Sequence, residues 1–414
     1  MTVAADRSAP QMRFPELVAF TAAVMALGAL SIDIMLPALG AIGKDMATRG
    51  ANDVQLVVYA FTIGYGVAQL FFGPLSDRFG RRAVLLGATA GYVLAAALSV
   101  FSSSFALLLA ARMLQGVCTA AARVAIMASV RDRFSGTRMA EVASASTTIF
   151  MAAPILAPAI GQAILLAAEW QMIFAFLLVY GIALGGWAFL RMNETLPEGD
   201  RRSLRLGSIF SAFSAFAANR QSLGYTLVTM VLWGAFFAYL GTAQQIYVGA
   251  FHIGALFPLA FAAGAIPYGV AALANAMVVR RFGLRRSVHA GIAAIIAISA
   301  GHLAAAFAGG ESLPVFIISV CATLFALGFV GPNATALAME PMGKIAGAAA
   351  SANGFASTTG AALIGVFIGG RFDGATTLVS AGFLAMGAIA FAIAFWTEQG
   401  KLFREVPERL EAAP

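Results

Sequence analysis

Charge is what this sequence has least of. Only 11% of its 414 residues are Asp, Glu, Lys or Arg, about half the share usual in soluble domains. Hydrophobic residues make up 60%, and the mean hydropathy is +0.86. An aqueous globule cannot hide that much apolar surface, which excludes a soluble enzyme, and a disordered chain needs the opposite composition. Cysteine is nearly absent: Cys118 and Cys321 both lie in apolar stretches and imply no disulfide framework. The histidines, His252, His289 and His302, are scattered, so no metal site is expected. The sequence carries neither a nucleophile–base cluster nor a Walker-type Gly-x-x-x-x-Gly-Lys-Ser/Thr loop, so neither enzymatic chemistry nor ATP as a driver is expected, and no cofactor is called for. Lysine occurs only at positions 44, 344 and 401. Without a basic tract or an aromatic RNA-binding motif, the net charge of +7 does not point to nucleic acid.

What the chain does have is long apolar runs. They predict spans at 15–37, 53–72, 83–101, 105–130, 142–166, 170–190, 222–246, 254–278, 288–308, 313–335, 346–370 and 375–396. Twelve helices of about 21 residues use about 250 residues, and the remaining ~160 make loops and tails, too few for a large extra domain. The polar start, residues 1–14, runs into an apolar stretch reaching Pro37, too long for a cleavable signal, so the stretch is expected to remain as the first span.

The scarce charges sort by side. Counted from the N-terminus, alternate loops and tails hold 21 Lys and Arg on one side and only Lys44, Arg49 and Arg371 on the other. The positive-inside rule then places both termini in the cytoplasm and requires an even number of spans. A cytoplasmic membrane is the expected location, with the lipid bilayer as the surrounding partner.

The longest polar break divides the chain into a six-helix half at 1–190, a linker at 191–221 and a second six-helix half with a tail at 222–414. Periodicity predicts a helix over 203–218, whose Ile209, Phe213 and Phe216 suit a membrane surface; a plain linker is the alternative. The halves look related. Asp77-Arg78-Phe79-Gly80-Arg81-Arg82 follows span two, and Arg280-Arg281-Phe282-Gly283-Leu284-Arg285-Arg286 follows span eight. Gly161 in span five and Gly365 in span eleven keep nearly the same offset. Paired halves around a midplane site are the usual build of a secondary transporter.

The most specific stretch is Gly73-Pro74-Leu75-Ser76-Asp77-Arg78-Phe79-Gly80-Arg81-Arg82. Gly73 permits close helix approach and Gly80 a tight turn. Asp77 suits a helix start or an arginine, and the arginines suit carboxylates or helix C-terminal carbonyls. This stretch resembles motif A of the major facilitator superfamily, where it acts as a cytoplasmic latch between helices. Further stretches narrow the resemblance: Ser31-Ile32-Asp33-Ile34-Met35-Leu36-Pro37, Arg112-Met113-Leu114-Gln115-Gly116, Phe236-Phe237-Ala238-Tyr239-Leu240-Gly241 and Gly331-Pro332-Asn333-Ala334. From about 15 to 396 the chain is similar to drug–proton antiporters of the bicyclomycin-resistance type, which include chloramphenicol and florfenicol exporters. The resemblance implies twelve transmembrane helices in two pseudo-symmetric halves, a small-molecule substrate exchanged for protons, and a monomer. Met35 stands where the family usually has tyrosine. Ala157 and Gln162 stand where span five often has glycine, and Arg123 where a small or apolar residue is usual.

Asp33 is the acid placed well inside a span, whereas Glu16, Asp53 and Glu141 fall near span ends. A carboxylate in hydrocarbon costs roughly 2.5–3.5 kcal/mol on insertion scales unless paired or protonated. Asp33 is therefore a candidate for proton coupling and substrate recognition, a structural ion pair being the alternative. Arg112 and Arg123 are three turns plus about 20° apart on span four, so they share a face and are expected to line a cavity. Arg112 is the expected partner of Asp33. Gln115 lies one turn from Arg112. Arg123, nearer mid-membrane, favours anionic or strongly polar substrates, with a packing role as the alternative. Tyr59, Phe236, Tyr239, Gln244 and Asn333 complete the candidate substrate wall, with Gln69, Gln245 and Tyr268 behind them; aromatic faces with a few polar groups suit an amphipathic drug. Pro154, Pro158 and Gly161, with Pro258 and Pro267, are expected to bend helices. A carrier of a metabolite such as a sugar or amino acid needs the same aspartate and remains the alternative function.

Overall fold

The computed structural model describes residues 12–201 and 206–404, so Arg7, Arg202, Arg205 and Arg409 of the charge census lie outside the described residues. The described residues contain helices and no strands. In chain order the long helices are α1 (Phe14–Asp33), α2 (Leu56–Phe79), α3 (Arg81–Val100), α4 (Phe105–Arg133), α5 (Gly136–Ala167) and α6 (Gln171–Arg191). They continue with α7 (Arg220–Gln244), α8 (Phe257–Phe282), α9 (Leu284–Phe307), α10 (Leu313–Met339), α11 (Ala346–Gly369) and α12 (Thr377–Thr397). Eleven are long and apolar enough to cross a membrane. The twelfth, α5, has its apolar part at Ala153–Ala167.

Helix ends follow local chemistry. Pro15, Pro258 and Pro314 sit in first turns, where a missing N–H costs nothing. Ser104 and Asn219 cap α4 and α7 by accepting from Leu107 N–H and Ser222 N–H. Gly80 and Gly283, with φ of 94° and 78°, make the sharp α2–α3 and α8–α9 turns. Pro258 therefore starts a helix and does not bend one. Pro154, Pro158 and Pro267 lie inside helices that stay continuous through them.

The first span departs from the expected continuous run to Pro37. The helical ladder stops at Ile34 N–H to the Leu30 carbonyl. A one-turn 3-10 segment, Leu36–Ala38, and a short helix, Leu39–Asp45, follow. Proline at 37 has no N–H for the Asp33 carbonyl and disfavours helical backbone just before it, so α1 breaks there.

Packing repeats between halves. α1 packs on α5 and α6, α2 on α4, and α3 on α4 and α6; adding six to every number gives the contacts of the second half. Across the halves, α2 meets α11 and α5 meets α8 under the same rule. Lipid tails are as apolar as leucine, so such helices are held by close contact at small residues. Gly161 shows this most sharply: a Cβ there would overlap the Ile34 carbonyl of α1, whose carbon lies 2.9 Å away. Its counterpart Gly365 packs against Phe237 of α7, with a Cβ position 3.0 Å from the Phe237 Cβ. Gly161 is thus a contact residue between α5 and the end of α1.

The linker helix, Leu206–Ala218, packs on α7 and α11. Its Phe213 and Phe216 join Met339, Met342, Ala349 and Ala352 around the α10–α11 turn. The side chains of Ile209 and Lys344 lie outside the described residues.

Replacing Gly161 by valine is expected to force α5 off the broken end of α1, at about 1–3 kcal/mol. The melting temperature of the purified protein in detergent checks this: Gly161→Val should melt several degrees lower, and an unchanged value would mean the contact yields freely.

Candidate functional site

The break in α1 leaves the Ser31 carbonyl without a ladder donor. Arg112 of α4 supplies one, Nη2 donating at 2.8 Å. Its Nε donates to the Val57 carbonyl of α2 at 3.2 Å and its Nη1 to Gln115 Oε1 at 2.8 Å. Phe61 covers the guanidinium, its ring centre 4.7 Å away. Tyr92 of α3 closes the network by bonding Ser31 Oγ at 2.7 Å. Arg112 and Gln115 are fully buried. Neither faces an open cavity in this conformation, and Arg112 forms no ion pair with Asp33, contrary to the sequence expectation. The open backbone carbonyl at the helix break gives the guanidinium a neutral partner, so the arginine is spent on shape.

Asp33 closes α1 two residues later. It is 5% exposed and, among the described residues, has neither an ion pair nor a hydrogen-bonded side-chain partner. The 3-10 turn that follows it, Leu36–Ala38, packs on α7. The acid therefore sits at the α1–α7 seam between halves. An enclosed, unpaired carboxylate is expensive as an ion, and proton binding removes that charge.

Arg123 lies eleven residues beyond Arg112, ~16 Å along α4. Its side chain is accessible in this conformation, on the face of α4 that Gly116 and Thr119 turn toward α2 and α1. Its Nη1 donates to Tyr65 OH at 2.5 Å. On α7, Trp233 and Phe236 are partly accessible and meet edge to face at 5.2 Å, with Tyr268 of α8 against Trp233 at 6.4 Å.

The other candidates sit elsewhere. Tyr239 is buried, stacked on Phe261 with centroids 6.0 Å apart. Asn333 is buried and exchanges two amide hydrogen bonds with Asn275 of α8, at 3.0 and 2.8 Å, which ties α10 to α8. Tyr59 is no cavity wall: its ring lies in a slot formed by Gly241, Gly365 and Gly369, and its hydroxyl donates to the Phe237 carbonyl at 3.3 Å. Gln244 packs on Gly40 at the same end. Next to it Gln245 accepts from Gln55 Nε2 at 2.7 Å and donates to the Ala51 carbonyl at 2.8 Å. Asn52 adds a bond to the Phe372 carbonyl at 2.8 Å. Together these residues form a seam between the halves at the end of the molecule opposite the arginine loops.

At the arginine-rich face, Arg81 bonds Asp77 at 2.5 Å and Asp132 of α4 at 3.0 Å. Arg82 donates to the Phe189 carbonyl near the end of α6 at 3.0 Å. Arg78 stands out over the Phe79 ring. Gly73 lies on the α2–α11 contact, its Cβ position 3.4 Å from Ser351 Oγ. Glu194, in the segment after α6, accepts from the backbone N–H groups of Arg81 at 2.9 Å and Arg82 at 3.2 Å, so it caps α3 from outside. The second half repeats the device: Arg285 bonds Glu398 at 3.0 Å and Glu340 at 3.5 Å. Sequence reading missed Glu194, Trp233 and Asn275. Glu194 and Glu398 stand 204 residues apart, as Gly161 and Gly365 do, a signal that would have found both acids. Among the described residues no group of His, Cys, Asp and Glu is placed to hold a metal ion.

Two six-helix halves facing each other across a seam with one enclosed acid define a membrane transporter. The chain belongs to the major facilitator superfamily, whose family model matches residues 18–370. It is 32% identical over 379 residues to an uncharacterized MFS-type transporter, YdgK, of Bacillus subtilis, covering 89% of this chain and 90% of that one. It is 29% identical over 333 residues to a chloramphenicol resistance protein of Pseudomonas aeruginosa, covering 78% and 74%. Over 239 residues it is 32% identical to a bicyclomycin resistance protein homolog of Haemophilus influenzae, covering 56% of this chain and 59% of that one. In fold it is similar to the human organic anion transporter MFSD10, with a TM-score of 0.63 at 19% identity, covering 93% of this chain and 100% of that one. The protein is a multi-pass membrane transporter of small molecules and not an enzyme.

Two measurements test the geometry. Arg112→Ala strands the Ser31 carbonyl and Gln115 in a dry interior and is expected to cost about 3 kcal/mol or more; Arg112→Lys cannot span three acceptors and should recover little. Thermal unfolding of both variants reads this, and a wild-type melt for either would deny Arg112 its role at the break. Glu194→Ala should speed hydrogen exchange at the Arg81 and Arg82 amides while leaving α7 unchanged; equal protection in both proteins would remove Glu194 as the cap.

Proposed function

We propose that this transporter exports small amphipathic compounds, of the kind its relatives' names suggest (chloramphenicol and bicyclomycin), in exchange for protons. The observation that carries the reading is Asp33: enclosed, without an ion-pair partner among the described residues, and seated where α1 breaks at the seam with α7. With the seam closed, the acid is expensive as an ion and holds a proton. When the seam parts, water restores its solvation and the proton leaves. Substrate and proton compete for one rearrangement, which is the requirement for exchange.

In this reading the arginine-rich face is cytoplasmic, and both termini lie there in a bacterial cytoplasmic membrane. The halves, 1–190 and 222–414, rock about the 191–221 linker as a monomer. The seam of Asn52, Gln55, Tyr59 and Gln245 is the outer gate. Asp77, Arg81 and Arg82 with Glu194 form the inner latch, and Gly73 lets α2 slide close to α11. Moving one charge through about 100 mV supplies about 2.3 kcal/mol, enough for roughly a fifty-fold gradient of a neutral substrate.

Asp33→Asn is expected to abolish drug export driven by an inward proton gradient in proteoliposomes, together with drug-dependent proton uptake. Downhill exchange of drug without a gradient should persist, because Asn keeps the shape. Gradient-driven export by Asp33→Asn at the wild-type rate would remove Asp33 from coupling.

A further inference from the structure

A guanidinium in the middle of a 29-residue apolar helix needs a reason to stay. Four other helical arginines show what such a reason looks like. Arg81, Arg191 and Arg285 each meet a carboxylate, and Arg112 spends its fork on two carbonyls and an amide. Arg123 meets only a neutral phenol, Tyr65. It has no ion pair among the described residues, and the sequence between 142 and 168 on the adjoining α5 contains no Asp or Glu. One N–H is committed and the rest of the planar fork is open.

The direction of the side chain follows from its helix. Gly116 presses on the Phe61 carbonyl of α2, and Thr119 touches the Gly28 position of α1. Arg123 lies between those two directions on the helical wheel. Cys118, which touches the Gly91 position of α3, points away from it by about 140°. Arg123 therefore faces between α1 and α2, where its guanidinium stays accessible.

We infer that Arg123 and Tyr65 form an anion subsite, and that the substrates include amphipathic monoanions, an aromatic body carrying one carboxylate or sulfonate. A bidentate guanidinium suits such a group, Tyr65 OH holds the fork in place, and Trp233, Phe236 and Tyr268 offer faces for the ring system. This deepens the export reading above and rests on it.

A matched pair of dyes tests it: anilinonaphthalene sulfonate, a monoanion, and phenylnaphthylamine, its uncharged parent. Their export is followed in proteoliposomes holding wild type, Arg123→Ala or Arg123→Lys. Arg123→Ala should lose the sulfonate by roughly tenfold or more and keep the parent dye, while Arg123→Lys, which keeps the charge and loses the fork, should fall between wild type and Arg123→Ala. Equal sulfonate transport by wild type and Arg123→Ala overturns the subsite, and so does a parallel fall for both dyes, which marks a structural residue. Wild type that moves the parent dye but not the sulfonate overturns the anion inference and leaves the export reading standing. Wild type that moves neither overturns both.

Discussion

The structure depends on one broken helix end and the arginine that satisfies it. A helix crossing a membrane cannot leave a carbonyl bare, because no water is there to take it. Pro37 breaks α1, and the Ser31 carbonyl is opened by that break. Arg112 answers it from α4 while also holding α2 through the Val57 carbonyl. A single fully buried side chain thus fixes three helices around the residue that follows, Asp33. The acid is enclosed because the break is plugged. It has no charged partner because the arginine that might have paired with it is already taken.

The same economy appears in the repeat. Close contacts at Gly161 on Ile34 and at Gly365 on Phe237 place the fifth helix of each half against the first. An acid after the sixth helix closes the turn between the second and third in both halves, Glu194 by capping backbone amides and Glu398 by pairing Arg285. The halves differ at the break. Asp33 and Pro37 have no counterparts at equivalent points of α7, which runs unbroken through Phe237 to Gln244 before loosening into a wider turn at Gln245–Ala250. The asymmetry puts the acid chemistry in the first half and the aromatic surface in the second.

Much of this was legible in the sequence. Twelve apolar runs and the charge census reveal the helices and their alternation, because hydrocarbon thickness and backbone satisfaction leave few other solutions. Motif A and the repeated glycines were legible because turns and close contacts demand particular residues. Partnerships were not. Arg112 and Asp33 look like an ion pair by depth, yet the decisive partner is a backbone carbonyl, which has no letter of its own. Tyr59 and Asn333 look like cavity residues by polarity, but a tyrosine in a glycine slot and an asparagine matched by Asn275 are satisfied inside the packing. Polarity in an apolar span signals that a partner exists and does not say which.

Arg112 and Arg123 sharpen that point, since they share a helix, a face and a side chain. Their fates differ because of what stands opposite. Arg112 faces a helix that has just lost its ladder, so acceptors are waiting and the charge is absorbed by the fold. Arg123 faces the intact body of α2, whose carbonyls are engaged by their own helix, and only the Tyr65 hydroxyl reaches it. A protein selected for stability alone would replace such a residue with an apolar one, because the cost of an underused guanidinium recurs in every folded molecule. In the anion subsite proposed for Arg123, an arriving negative group is the partner that the fold withholds.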